Sequence, residues 1–280
     1  MEVIIAILVG LAVGSFLNVV ADRVPERASL LRPPSQCPSC GRRLTPLEMI
    51  PVASYLALGG RCRTCGHPIP RRVLIVELVT GALYGWLAAR YGAGLVLVLM
   101  AWWTAILIVL FVIDLEHRIV PNVIILPAIA IGLLMLPLRL MQPPPYSLVG
   151  WWQAGLEPGA VPRINPGVLA MVSQVVGALS AFLIFLLIHL LAALVYRGRG
   201  LEGMGAGDVR LSFLCGLLTG YPLAMLSVAG SFVLGGLVSA GLLAARIKGR
   251  TDYIPFAPFM ILSVYIVMIF GESILIWYLR

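Results

Sequence analysis

Long apolar runs, repeated along the whole chain, constrain its fold more than any motif does. A stretch of about 20 residues with few charges is long enough to cross a bilayer as a helix. In hydrocarbon, only helices and closed barrels satisfy every backbone group. The chain is 60% hydrophobic and 11% charged, against about 45–50% and about 25% for a soluble domain. Eight runs are read as membrane segments: Glu2 to Val20, Leu74 to Ala89, Leu95 to Ile113, Ile119 to Leu138, Val168 to Tyr196, Val209 to Leu218, Pro222 to Ala245 and Ile254 to Leu279. The fold class is therefore an all-α polytopic membrane protein. The first run has no basic region before it and no clear cleavage site, so it reads as a retained span and not as a signal peptide. Pro121, Pro127 and Pro137 predict a bent or shortened fourth helix. Gln142 to Pro166 is polar and proline-rich, hence a loop. Val209 to Leu218 is only about half a usual span.

Basic residues set the orientation. The net charge of +8 is no nucleic-acid signature, because the arginines sit in short loops between apolar runs. Of the 20 Lys and Arg residues, Arg90, Arg139, Arg163 and Arg280 fall on one side of an eight-span arrangement and the remaining sixteen on the other. The sixteen-residue side reads as the cytoplasm, with both termini outside. Without the short sixth span, Arg246, Lys248 and Arg250 would move to the wrong side.

The loop from Asp22 to Arg72 is the only sizeable soluble part. It carries Cys37-Pro-Ser-Cys40 and Cys62-Arg-Thr-Cys65, separated by 21 residues. Two such pairs suit four thiolates around one structural zinc ion, each pair turning two sulfurs toward it. Gly41 and Gly66 follow their pairs as such turns require. The competing reading is a pair of disulfides, which a cytoplasmic location disfavours, or metal-free thiols. His67 reads as a bystander and Cys215 as packing.

Two acids stand at the edges of apolar runs. Asp208 follows a glycine-rich turn, Gly203-Met204-Gly205-Ala206-Gly207, in which glycine permits positive φ and close approach of the backbone. Asp114 ends the third run in Phe111-Val-Ile-Asp114. The eight-span topology places both at one level of the bilayer. Two acids meeting in a poorly solvated site share a proton, which is what an aspartic peptidase needs. The alternative is two separate helix-end acids, one capping a helix, paired with Arg118 and Arg210. Glu116, Glu202 and Asp252 read as solvated loop acids. Glu77, just inside the second span, is either a functional carboxylate or a partner of Arg71 or Arg72.

These residues resemble the type IV prepilin peptidase family. Gly14-Ser-Phe-Leu-Asn18 is similar to its opening motif, followed by Arg23-Val-Pro25. The four cysteines match its zinc-binding loop. Ile50-Pro51-Val52, Gly60-Arg-Cys62 and Val76-Glu77-Leu78 match the segments around them. Asp114 with Ile119, Pro121 and Asn122 resembles the first aspartate motif, Gly205-Ala-Gly207-Asp208 the second, and Ile254-Pro255-Phe256-Ala-Pro258-Phe259 the last-span motif. The resemblance covers nearly the whole chain. It implies a bacterial inner-membrane enzyme whose active site faces the cytoplasm. The enzyme would cut prepilins or pseudopilins after a glycine, with Asp114 and Asp208 as the catalytic pair, supported by Gly205, Gly207 and Arg210. It would then methylate the new N-terminus from S-adenosylmethionine. Residues 1–21 would form the first span, 22–72 the zinc-binding loop associated with methyl transfer, and 73–280 the peptidase core.

Two positions depart from the family pattern. Arg210 stands where a lysine is usual, and Met49 replaces a polar residue. No glycine-rich nucleotide loop of the soluble kind is present, so methyl transfer rests on the resemblance. Asn18, Glu48 and Glu77 are assigned near that site, against a reading of them as loop and span packing. A peptidase without methyl transfer and a non-enzymatic transport or assembly protein with a zinc ribbon remain as alternatives. The sequence implies a lipid bilayer and a pilin-like substrate as partners, no nucleic acid, and no particular oligomeric state.

Overall fold

The computed structural model describes residues 1–140, 166–195, 205–247 and 254–279. Outside them lie Gly203 and Met204 of the glycine-rich turn, Glu202, Asp252, Arg163, Arg197, Arg199, Lys248, Arg250, Arg280, and the expected Gln142–Pro166 connection apart from Pro166. The described elements are helical: α1 (Glu2–Arg23), a 3-10 turn (Pro46–Met49), α2 (Ala53–Ala57), α3 (Arg71–Tyr91), α4 (Leu95–His117), α5 (Asn122–Leu134), a second 3-10 turn (Leu136–Leu140), α6 (Pro166–Val195), α7 (Ala206–Thr219), α8 (Leu223–Ala244) and α9 (Ala257–Leu279). Five of them, α1, α3, α4, α6 and α8, are long and apolar enough to cross a membrane, and Asn122–Leu138 and Ala257–Gly271 are shorter apolar helical stretches. Each of the eight apolar runs thus forms a helix. The fourth carries its prolines as expected: Pro121 caps α5, Pro127 lies inside it, and the chain tightens into a 3-10 turn around Pro137.

The chain divides into two compact units, Met1–His117 and Arg118–Arg280. In the first, α1 lies along α3, and α4 packs on both. Small residues allow the close approach of α1 and α3, as is usual where lipid supplies no hydrophobic drive. A Cβ on Gly14 would lie 2.8 Å from the Cα of Glu77, and one on Gly10 2.8 Å from the Cα of Gly81. The Tyr84 hydroxyl donates to the Ala101 carbonyl at 2.7 Å and fastens α3 to α4. At the end bearing the cysteine loop, Arg72 of α3 donates to Asp22 of α1 at 2.7 Å and to Glu116 of α4. Glu116, expected to be a solvated loop acid, is exposed but lies in α4 and completes this three-helix clasp.

In the second unit, α7 is the centre, packed against α5, α6, α8 and α9. At its crossing with α6 a Cβ on Gly216 would lie 2.3 Å from the Gly177 carbonyl oxygen. Phe256, just before α9, packs against Phe185 of α6 and Phe232 of α8, with ring centroids 5.8 and 5.3 Å away. The Ser263 hydroxyl of α9 donates to the Ser227 carbonyl of α8 at 2.7 Å.

Candidate active site and cysteine cluster

The two cysteine pairs build two copies of one turn. In the first, the Cys37 amide donates to the Arg42 carbonyl and the Gly41 amide to the Cys37 carbonyl. In the second, the Cys62 amide donates to the His67 carbonyl and the Gly66 amide to the Cys62 carbonyl. Gly41 and Gly66 take φ of 67° and 70°, values that glycine adopts at least cost. The amides of Cys40 and then Ser39 lower the Cys37 thiol below its ordinary value. Those of Cys65 and Thr64 bring Cys62 down to about 6. Each turn thus favours a thiolate on its leading cysteine. The four sulfurs lie within 4.8 Å of one another, and Cys37 Sγ is 3.7 Å from Cys65 Sγ. A tetrahedral zinc ion with Zn–S bonds of about 2.3 Å separates its sulfurs by about 3.8 Å. The cluster therefore suits zinc, with all four positions filled by protein, and His67 stands outside it.

Glu48 lies between the cysteine pairs. Its carboxylate accepts from Arg42 Nη2 at 2.6 Å and from the Thr45 amide at 2.8 Å. The Arg42 hydrogen bond first, and the Thr45 amide second, bring it down to about 2. Glu48 is thus engaged in holding the loop.

Glu77 reaches the loop from the second turn of α3. It is 4% exposed, and its carboxylate accepts the Val52 amide at 2.7 Å. Arg72, considered as its partner, pairs with Asp22 and Glu116. Val52 has φ 61° and ψ −52°, and the Ala53 amide donates to the Pro51 carbonyl across it. This is a γ-turn in its rare, strained form, and a β-branched residue adopts positive φ only under constraint. Ile50-Pro51-Val52 was visible as a motif, but nothing in its composition predicts a strained turn held by a membrane-helix carboxylate. Asn18 of α1 donates to the Gly14 and Val73 carbonyls at 3.1 and 3.2 Å, and its buried Oδ1 accepts no hydrogen bond.

Asp114 and Asp208 belong to different compact units. Asp114 sits in the last turn of α4 and is 3% exposed. Asp208 is the third residue of α7 and is 5% exposed. The cap of α7 is Gly205, so Asp208 is not the capping residue, although a carboxylate in a first turn is favoured by the helix dipole. The glycine-rich turn was expected to use positive φ. Gly205 instead has φ −66°, and Gly207 lies in the helix. The need at Gly207 is room, because a Cβ there would lie 2.9 Å from the Cβ of Val120. Arg210 Nη1 donates to the Asn122 side-chain oxygen at the start of α5. That contact ties the start of α7 to the start of α5.

Comparison with known proteins gives this arrangement a context. Residues 8–91 match the Bacterial Peptidase A24 N-terminal domain, and residues 97–240 match the Type IV leader peptidase family. The chain belongs to the type IV leader peptidase family. It is similar to a prepilin leader peptidase/N-methyltransferase of Pseudomonas aeruginosa, 31% identical over 99% of this chain and 93% of that protein. It is also similar to proteins of the same name from Pseudomonas putida, 32% identical over 96% and 91%, and from Bacillus subtilis, 29% identical over 97% and 95%. No solved structure matches the chain. Family membership and the apolar helices together make it an integral membrane protein.

Proposed function

We propose that this chain is an aspartic endopeptidase of the bacterial inner membrane. It removes the leader of type IV prepilins and pseudopilins after a glycine, then methylates the new N-terminal residue. The observation that carries this reading is similarity over nearly the full length to relatives named prepilin leader peptidase/N-methyltransferase. Both termini lie outside and the site faces the cytoplasm.

Asp114 and Asp208 are the peptidase acids. One, as carboxylate, takes a proton from water while the water oxygen bonds to the scissile carbonyl carbon. The other, as carboxylic acid, hydrogen-bonds the carbonyl oxygen and stabilises the charge that gathers there. The carbon–nitrogen bond then breaks and the nitrogen takes a proton, leaving the leader as a carboxylate and the pilin with a free amine. Gly207 lets Val120 approach α7 closely, and Arg210 ties α7 to α5.

Cys37, Cys40, Cys62 and Cys65 hold one zinc ion that organises the loop over residues 22–72. S-adenosylmethionine supplies the methyl group. Glu77 and Asn18, on the packed helices α3 and α1, would hold the methyl donor, and Glu48 would keep the loop in shape.

The test uses purified protein with a prepilin and mass spectrometry of the product, with and without S-adenosylmethionine. The expected product is shortened, and heavier by one methyl group when the cofactor is present. Asp114→Asn and Asp208→Asn abolish shortening. Cleavage that survives either change overturns the assignment of that residue. A shortened but unmethylated product restricts the activity to the peptidase.

A further inference from the structure

The segment Pro46–Leu58, made of the first 3-10 turn, the γ-turn and α2, exposes large apolar side chains. Leu47 is 75% and Leu56 65% exposed, with Met49 and Ile50 also open. Its depth is set by Glu77. Glu77 lies three residues beyond Leu74, where the apolar run of α3 begins, or about 4–5 Å along a helix rising about 1.5 Å per residue. The Val52 amide is bonded to that carboxylate, so the segment is pinned beside the first turns of a membrane-crossing helix. Helices that lie in a membrane interface bury their apolar face about 5–10 Å into the headgroup and acyl boundary.

Charge points the same way. Residues 22–72 contain nine arginines, no lysine, and the acids Asp22, Glu26 and Glu48. Arg43 and Arg61, both exposed, bracket the apolar segment. Clusters of basic residues beside a membrane helix are attracted to anionic headgroups. We infer that Pro46–Leu58 is an interfacial anchor: Leu47, Met49, Ile50 and Leu56 enter the acyl region, and Arg43 and Arg61 meet the phosphates of anionic phospholipid. The loop then lies on the membrane that also holds α3, and the γ-turn sits at the lipid boundary. This inference does not depend on the catalytic roles proposed above.

The full chain is reconstituted in liposomes containing phosphatidylglycerol, with the photocrosslinker p-benzoylphenylalanine in place of Leu47, Leu56 or, as aqueous reference, Ser39. Met49 replaces either apolar position if that variant does not fold. Mass spectrometry is expected to find phospholipid adducts at Leu47 and Leu56 several-fold above those at Ser39. Yields should fall when phosphatidylcholine replaces phosphatidylglycerol, and Arg43→Glu with Arg61→Glu should remove that lipid dependence. Equal yields at all three positions overturn the inference. So do adducts within the chain itself, or with an added prepilin, in place of lipid.

Discussion

The cysteine turns and helix α7 both fix the side chains proposed to carry the chemistry, by opposite means. The turns are built from local backbone hydrogen bonds within six residues each, and two of their four thiols are exposed. Helix α7, which carries Asp208 in its first turn, is placed chiefly by packing. It is held by α5, α6, α8 and α9 on its several faces, with Gly207 and Gly216 making the closest approaches. A site of the first kind depends on a few atoms nearby. A site of the second kind depends on the packing of a whole unit, so its chemistry and its stability can be damaged separately.

The sharpest separation comes from the carboxylates. Asp208→Asn keeps the shape of α7 and removes its acid. Loss of a positioned proton-transfer group slows a reaction by about 10²–10⁴-fold, so cleavage is expected to fall by at least that much while the detergent-solubilised protein melts near the wild-type temperature. A parallel loss of melting temperature would make Asp208 a packing residue. Metal removal probes the other region. Chelation, or Cys37→Ser or Cys62→Ser, is expected to open residues 22–72 to protease, since a site built by a metal loses its fold with it. The second unit should stay resistant. Methyl transfer should fail before cleavage does, and equal loss of both would show that the loop also docks the substrate.

This contrast also explains what could be read from the sequence. The cysteine turns were legible because their whole mechanism is local: Cys-x-x-Cys followed by glycine encodes ligands, turn and hydrogen bonds together. The apolar runs were legible because their length alone sets a helix. The reason for Gly207 was not, since the atom it makes room for belongs to Val120, far away in the chain. Phe256 is similar: a recognisable motif residue whose role is to pack on Phe185 and Phe232. The γ-turn at Val52 was invisible because valine is an unfavourable choice there, and only the tertiary bond to Glu77 accounts for it. The pairing of Glu116 was hidden for the same reason, because its partner Arg72 lies 44 residues away.

Gly216 tests the packed region directly. Gly216→Ala places a methyl against the Gly177 carbonyl, and overpacking of this kind costs about 1–3 kcal/mol. The expected result is a lower melting temperature for the second unit with the cysteine loop unchanged. Gly236 of α8 is the control, since a Cβ there meets nothing within 4 Å. Gly236→Ala should be neutral or stabilising, because alanine is favoured over glycine in a helix by about 1 kcal/mol. If both changes behave alike, the α6–α7 crossing is looser than its geometry implies.

The smallest effect is expected in the local region, at Glu48. Its carboxyl titrates at about 2 in the folded loop, below the ordinary value of about 4.3. A lowered value means that folding favours the ionised form, so its contribution is fully present above the ordinary value and is lost as pH falls toward about 2. The Thr45 amide, which donates to this carboxylate, reports it locally. Its hydrogen-exchange protection should decline between about pH 4 and pH 2 beyond any change that accompanies metal release. Glu48→Gln separates the two causes: it shares the metal release but lacks the carboxylate, so its Thr45 protection should start lower at neutral pH and converge on wild type near the acid end. Protection that falls in parallel in both proteins would mean that the metal alone holds this turn, and that Arg42 and Glu48 add nothing to it.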